Sequence, residues 1–254
     1  MISTEQVSQL SQRWQIDQVS IIREYVQLVF LSKIYNMRGS EDLFFKGGTA
    51  IRFLSNSFRF SEDLDFTSLL PPSKLKKLLK DAVKASRGEI VNCAMDKLEI
   101  KKNSITTRLW HKADIVDQAL NVHLEISTRE KPLTRVSSPI ETLFPISPYP
   151  VVTHLSMEEI MAEKIRALAK RAKGRDIFDL WFLMSKEVPL KWEIVEKKMK
   201  FYKESIEPDK LLKKIKNMDD KKIFHDLNKF LPKNYRPLIK DLKSKTLSYL
   251  EKQL

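Results

Sequence analysis

Cysteine is almost absent from this chain: Cys93 stands alone among 254 residues. That excludes an intramolecular disulfide and a cysteine-built zinc site, and it points to a reducing compartment. Long apolar runs are missing as well. None approaches the ~18 residues needed to cross a bilayer, and the opening Met1-Ile2-Ser3-Thr4-Glu5-Gln6 lacks the basic start and apolar stretch of a secretory signal. These absences predict a soluble, cytoplasmic protein with no membrane partner. Glycine is scarce too, five residues in all. They spell neither the G-x-x-x-x-G-K-[ST] of a P-loop nor a dinucleotide fingerprint. Apolar side chains are plentiful: a hydrophobic content of 42% with 9% aromatic residues excludes general disorder. The length suits one large domain or two of moderate size.

Negative charge is also in short supply, 33 acids against 46 Lys and Arg, a formal +13. The imbalance is concentrated. From Ser156 onward there are 25 Lys and Arg against 16 Asp and Glu, a surplus of 9, which leaves a surplus of 4 for residues 1–155. Clustered cations gain affinity for phosphates by releasing condensed counterions, so a polyanionic partner is expected. A lysine-rich, glycine-poor composition also occurs in thermophiles, and composition alone does not separate the two origins.

Residues 4–37 carry apolar side chains at three- and four-residue spacing, from Val19 and Ile22 to Phe30 and Ile34, which predicts one long helix with Arg13, Arg23, Lys33 and Arg38 on its wet side. Leu43-Phe44-Phe45 reads as a strand entering Gly47-Gly48, and Ala50 to Leu54 as a short helix. Asp63-Leu64-Asp65-Phe66 alternates as a strand, so both carboxylates share one face. Pro71-Pro72 marks a loop, with Ser73 as the cap of a helix over 74–86. Residues 90–101, 105–113 and 121–128 carry strand patterns, and Asp114-Ile115-Val116-Asp117 reads as a turn. In the last strand His123, Glu125 and Ser127 share the face opposite Val122, Leu124 and Ile126. The prolines between Pro132 and Pro150 predict an extended connector, followed by a boundary near 150–156. Ser156-Met157-Glu158-Glu159 has capping-box form. The remainder is helical, with Lys197, Lys198, Lys200, Lys203, Lys213, Lys214 and Lys216 as a possible track for RNA phosphates. The expected organisation is a domain over 1–155, an α/β (α+β) fold with a small mixed sheet and flanking helices, then a helical bundle over 156–254.

Two carboxylates on one strand face repel each other, and a hard divalent cation such as Mg²⁺ or Mn²⁺ is the natural compensation. Glu125 joins them if its strand lies beside theirs. The paired glycines let the backbone pass closely beneath a phosphate, with the helix start supplying N–H groups. Strand, Gly-Gly, short helix, then Asp-x-Asp sixteen residues beyond Gly47 is the layout of the DNA polymerase β-type nucleotidyltransferases. Lys46-Gly47-Gly48-Thr49 with Arg59-Phe60-Ser61-Glu62-Asp63-Leu64-Asp65 resembles the AbiEii branch, the nucleotidyltransferase-like toxins of abortive-infection and toxin–antitoxin systems that include the MenT toxins. A second block lies about a hundred residues further on. Glu159-Ile160, Glu163-Lys164-Ile165-Arg166-Ala167-Leu168, Arg171 and Arg175-Asp176-x-x-Asp179-Leu180 resemble the same family in the same order.

The resemblance implies a metal-dependent transfer of NMP from an NTP to RNA, the tRNA 3′ end foremost, by a growth-inhibiting toxin with a cognate antitoxin. It implies Asp63, Asp65 and Glu125 as metal ligands. Lys46, Gly47, Gly48, Thr49, Ser61 and Lys164 fall on the nucleotide, and Asp179 or Asp176 completes the catalytic set, with Arg175 orienting the aspartates. Two other readings fit the same residues: modification of a protein side chain, and a non-catalytic nucleic-acid-binding module. A self-contained helix hairpin tied by Arg–Asp pairs is the bland account of the second block.

Overall fold

The computed structural model describes residues 2–112 and 119–254; the expected turn at 114–117 lies outside them. The described residues form two compact units: residues 2–56 with 60–112 and 119–155, and residues 57–59 with 156–254.

The first unit opens with two helices, α1 (Thr4–Trp14) and α2 (Gln18–Tyr35), where the periodicity predicts one. Gln15 turns left-handed at φ 52° and ends α1, and the Asp17 carboxylate accepts the Ser20 N–H at 2.9 Å to start α2. A capping acid therefore overrides a continuous apolar stripe. Arg23 and Lys33 are not on a purely wet side: they pair with Glu62 and Glu89.

The strands are β1 (Leu43–Lys46), β2 (Leu64–Ser68), β3 (Ala94–Met95), β4 (Glu99–Lys101), β5 (Ser104–His111), β6 (Leu120–Ser127), β7 (Val136–Pro139) and β8 (Val151–His154). Among the described residues they make one mixed sheet in the order β3-β5-β6-β2-β1-β8-β7, with β4 also on β5. The ends of the proline-rich interval thus enter the sheet, β7 pairing antiparallel with β8, rather than forming a bare connector. Residues 90–101 hold two short strands in place of one. Helix α3 (Gly47–Leu54) follows β1 without a loop, and α4 (Pro72–Ser86) follows β2. Pro72 sits in the first turn of α4, where its missing N–H costs nothing, so the proline pair opens the helix instead of blocking it.

Strand register builds two faces. Phe45, Phe66, Ile126 and Ile105 are successive cross-strand partners and are buried. Each such side chain contributes about 1.5–3 kcal/mol by leaving water. Helix α2, with Tyr25, Val29 and Phe30 buried, packs on β6 and β8. One residue along each strand, the other face carries a second row.

The second unit consists of α5 (Met157–Lys170), α6 (Gly174–Ser185), α7 (Trp192–Phe201), α8 (Pro208–Lys216), α9 (Asp220–Asn228) and α10 (Leu242–Gln253). Phe58 stacks on Tyr235 at 4.1 Å and meets Phe178 and Phe182 edge-on. Lys198 is fully buried, held by Glu159 at 2.8 Å and Glu163 at 2.9 Å. That removes it from the expected lysine track. Lys214 also turns inward, donating to the Ala169 carbonyl. The Glu159 side chain expected to close the capping box serves Lys198, while Ser156 Oγ accepts the Glu159 N–H at 3.3 Å. Among the described residues no helix is long and apolar enough to cross a membrane.

Candidate active site

In the first unit the site grows from the junction of β1 and α3. Gly47 adopts φ +78°, which side-chain-bearing residues rarely do, and a Cβ built on it would lie 2.0 Å from Asp65 Oδ2. The glycine is therefore required twice, by its backbone and by the carboxylate lying against it. Thr49 is buried, and its hydroxyl donates to the Asp63 carbonyl. That bond ties the first turn of α3 to the segment carrying both aspartates, so Thr49 holds the acids in place. Gln27 Nε2 adds a second tie at 3.1 Å to the Ser61 carbonyl. At the far end of α3, Arg52 pairs with buried Glu24 through Nε at 2.9 Å and Nη2 at 3.1 Å, and it lies 4.1 Å over the Phe60 ring. The helix is thereby clamped to α2 below its glycine start.

The second row of the sheet crosses this junction. Lys46 pairs in register with Asp65, Asp65 with Glu125, and Glu125 with Thr106. Register partners project to the same side of a sheet, so a cation, two carboxylates and a hydroxyl line one transverse strip. The sequence alternation had placed Glu125 on the face opposite Leu124 and Ile126, and the parallel pairing of β2 with β6 brings it beside Asp65. Asp63, Asp65, Lys46 and Ser61 are half-buried, and Glu125 is exposed. His123 is one pair removed, opposite Arg108. Among the described residues no three His, Cys, Asp or Glu side chains gather into a group that could hold a metal by themselves.

The second signature block forms a charge cluster inside the second unit. Lys164 Nζ lies 2.7 Å from Asp179 Oδ2 and 3.7 Å from Asp176 Oδ1. Arg59 grips Asp179 with Nε at 2.8 Å and Nη2 at 2.9 Å. Asp176 receives Arg171 in the same two-pronged way, at 2.9 and 3.0 Å. Both aspartates and Arg59 are buried. Burial by itself drives the Asp179 carboxyl upward, but the Arg59 and Lys164 cations outweigh it and hold the group below the usual carboxylate range. Burial likewise opposes charge on Lys164, and the Asp179 and Asp176 carboxylates overcome it and raise its pKa.

Arg59 is a buried partner of the charge cluster that local sequence pattern does not single out. It stands in the first motif and pairs 120 residues away; an arginine between Phe58 and Phe60 was the available signal that its charge would be buried against an acid. The orienting role expected of Arg175 is filled by Arg171, Arg59 and Lys164 instead. Its guanidinium lies 4.8 Å over the Phe230 ring.

A family model described as nucleotidyl transferase AbiEii toxin, type IV TA system, matches residues 29–250. No curated protein matches the chain. Similar solved structures include the nucleotidyltransferase toxin MenT4 from Mycobacterium tuberculosis, at 17% identity and a TM-score of 0.66, over 99% of this chain and 90% of that one. JHP933 from Helicobacter pylori aligns at 19% identity and a TM-score of 0.57, over 94% of both chains. A putative nucleotidyltransferase from H. pylori aligns at 20% identity and a TM-score of 0.55, over 94% and 97%. At such identities these three establish the shared mixed α/β fold.

Proposed function

The chain belongs to the AbiEii family of nucleotidyltransferase toxins, and from that premise we propose that it moves an NMP from an NTP to a hydroxyl of RNA, with the tRNA 3′ end as acceptor. In that reaction the acceptor oxygen bonds to the α-phosphorus, the bond to the bridging oxygen breaks, pyrophosphate leaves, and the hydroxyl proton passes to solvent. Growth inhibition follows from tRNA that can no longer be charged, and a cognate antitoxin opposes it.

The observation that carries this reading is the Asp65 carboxylate seated on Gly47, in one strip with Lys46 and Glu125. A glycine turn meeting an acidic strip allows a triphosphate and a hard cation to be held side by side. The donors fit such a cation: Mg²⁺ is ordinarily held by one or two carboxylates with substrate phosphates, so a full protein cage is not needed. Asp63 and Asp65 would hold Mg²⁺ or Mn²⁺, with Glu125 assisting. When bound, the metal would supply charge neutralisation on the reacting phosphate oxygens.

The chain's own groups do the rest. Backbone N–H groups at the Gly47-Gly48 start of α3 would face the phosphates, Lys46 would offset their charge, and Ser61 would donate to them. Thr49 acts through Asp63, fixing the acid-bearing segment. Lys164 is assigned the phosphate contact that the family resemblance gives it; Asp179 and Asp176 fix its ammonium, and Arg59 fixes Asp179. Positioned cations of this kind stabilise charge developing on a leaving pyrophosphate.

The test is incubation of purified protein with each labelled NTP, Mg²⁺ and total RNA. Label on tRNA that disappears in Asp65→Ala supports the proposal. Label on protein assigns a protein acceptor, and RNA binding without any label makes the chain a binding module.

A further inference from the structure

Arg175, the last arginine of the second signature block, does not serve the charge cluster beside it, and its surroundings make a second site. Gly174 permits α9 to sit directly on the start of α6: a Cβ there would lie 2.7 Å from the Ile223 carbonyl oxygen. Asp226 fixes the contact, its carboxylate accepting the Gly174 N–H at 3.0 Å. The acid is thus engaged by backbone, while the neighbouring Arg175 is held beside the outer side of α9. Between them lies a cavity of about 480 Å³, lined by Arg175, Phe224, His225, Asn228 and Lys229 as well as Asp226 and Phe230.

On α9 Phe224 and Asn228 stand i and i+4 apart and share one helix face. Phe224 is 50% exposed. A lone exposed phenylalanine is ordinary surface. Here two cations flank it, and both already lie over an aromatic ring, Lys229 at 4.5 Å and Arg175 at 4.8 Å from the Phe230 centroid. Positive charge for a backbone, an open aromatic face for a base and an amide for a base edge are the parts of a single-strand nucleic-acid site. The surrounding unit is the half of the chain with the larger positive surplus.

We infer that this cavity takes one unpaired nucleotide of an RNA strand, its base against Phe224 and its phosphate against Arg175 and Lys229. The inference rests on RNA being the acceptor and adds where an unpaired stretch of that RNA is held. Duplex RNA offers no free base face and gains only the cations.

Fluorescence anisotropy with a labelled single-stranded RNA of about ten nucleotides, against a blunt two-strand RNA duplex of about the same length, tests it. Phe224→Ala is expected to weaken single-strand binding roughly tenfold, with Phe224→Tyr restoring it. Arg175→Gln is expected to weaken binding and lower the salt slope by about one. Phe224→Ala binding as wild type does, or the blunt duplex bound as tightly as the single strand, overturns the site. NMP transfer to RNA is measured in parallel. Transfer by wild type with binding indifferent to Phe224 removes this site and leaves the acceptor reading. Binding that depends on Phe224 without transfer to RNA does the reverse.

Discussion

The carboxylate of Asp65 rests against the α-carbon of Gly47, so closely that a methyl group on the glycine would sit 2.0 Å from Oδ2 and 2.8 Å from the Asp65 Cβ. Gly47→Ala must therefore displace the acid as well as strain the turn. The expected result is a loss of NMP transfer on the order of 100-fold, the usual consequence of moving a reacting group by about 1 Å. Gly39→Ala separates the two effects, since Gly39 has φ +98° but nothing within 4 Å of its added Cβ. It is expected to cost about 1 kcal/mol of stability and leave transfer at the wild-type rate. Equal transfer rates in the two variants would detach the Gly47–Asp65 contact from the chemistry.

The cluster around Asp179 makes a different prediction, about stability. Asp179→Asn leaves Arg59 and Lys164 facing each other without their shared acid, and an uncompensated buried charge costs about 3–5 kcal/mol. Lys164→Met leaves Asp179 still gripped twice by Arg59, so its cost is smaller. For a chain of this size each kcal/mol moves Tm by about 2–4 °C. Calorimetry should rank wild type above Lys164→Met and Lys164→Met above Asp179→Asn. An Asp179→Asn protein melting with wild type would show that the pair bears no structural load.

Alternation at period two was enough to place Asp65 and Glu125 on the outward faces of their strands, because that side-chain period is intrinsic to extended backbone. Parallel pairing of β2 with β6 was needed to make them neighbours, and no local pattern encodes pairing across 60 residues. The same limit hid Arg59 and Lys198. One lysine among several on a basic helix looks like its neighbours until Glu159 and Glu163 close over it. The break between α1 and α2 is legible in principle, since Asp17 just ahead of an apolar-periodic run is an N-cap residue, but the apolar stripe running past it favours a single helix. Arg175 departs from expectation for the opposite reason: adjacency in sequence to Asp176 implies partnership, whereas helical geometry points consecutive residues apart.

Acid should weaken the first unit in a defined window. His154 is buried, its Nδ1–H donating to the Leu155 carbonyl at 2.7 Å and its Nε2 accepting from Ser138 Oγ at 3.0 Å. Burial pulls its pKa below the ordinary 6.5, with the Leu155 bond opposing in part. The unfolded chain therefore binds this proton at higher pH than the folded one, so the stability is complete above pH 6.5 and falls as pH drops below it. Asp179, whose pKa is lowered, loses its contribution only in stronger acid, and Lys164, whose pKa is raised, only in strong base. Urea midpoints at pH 7.5 and 5.5 should differ in wild type and differ less in His154→Gln. An equal drop in both would assign the acid sensitivity to other groups.

Glu125 offers the cleanest separation of function from folding. It is exposed on β6, and its register partners are Asp65 on one side and Thr106 on the other. Removing an exposed carboxylate exposes no core and orphans no buried charge, so Glu125→Gln should melt with wild type. If it helps hold the metal, the same change lowers the affinity for the cation, and groups supporting a metal typically account for roughly 10- to 100-fold. Transfer measured across a Mg²⁺ titration should then shift to higher metal concentration, with the rate at saturation recovering more than the rate at low metal. Chelation by EDTA should abolish transfer in both proteins. An unshifted titration would take Glu125 out of the metal site and leave Asp63 and Asp65 as its carboxylates.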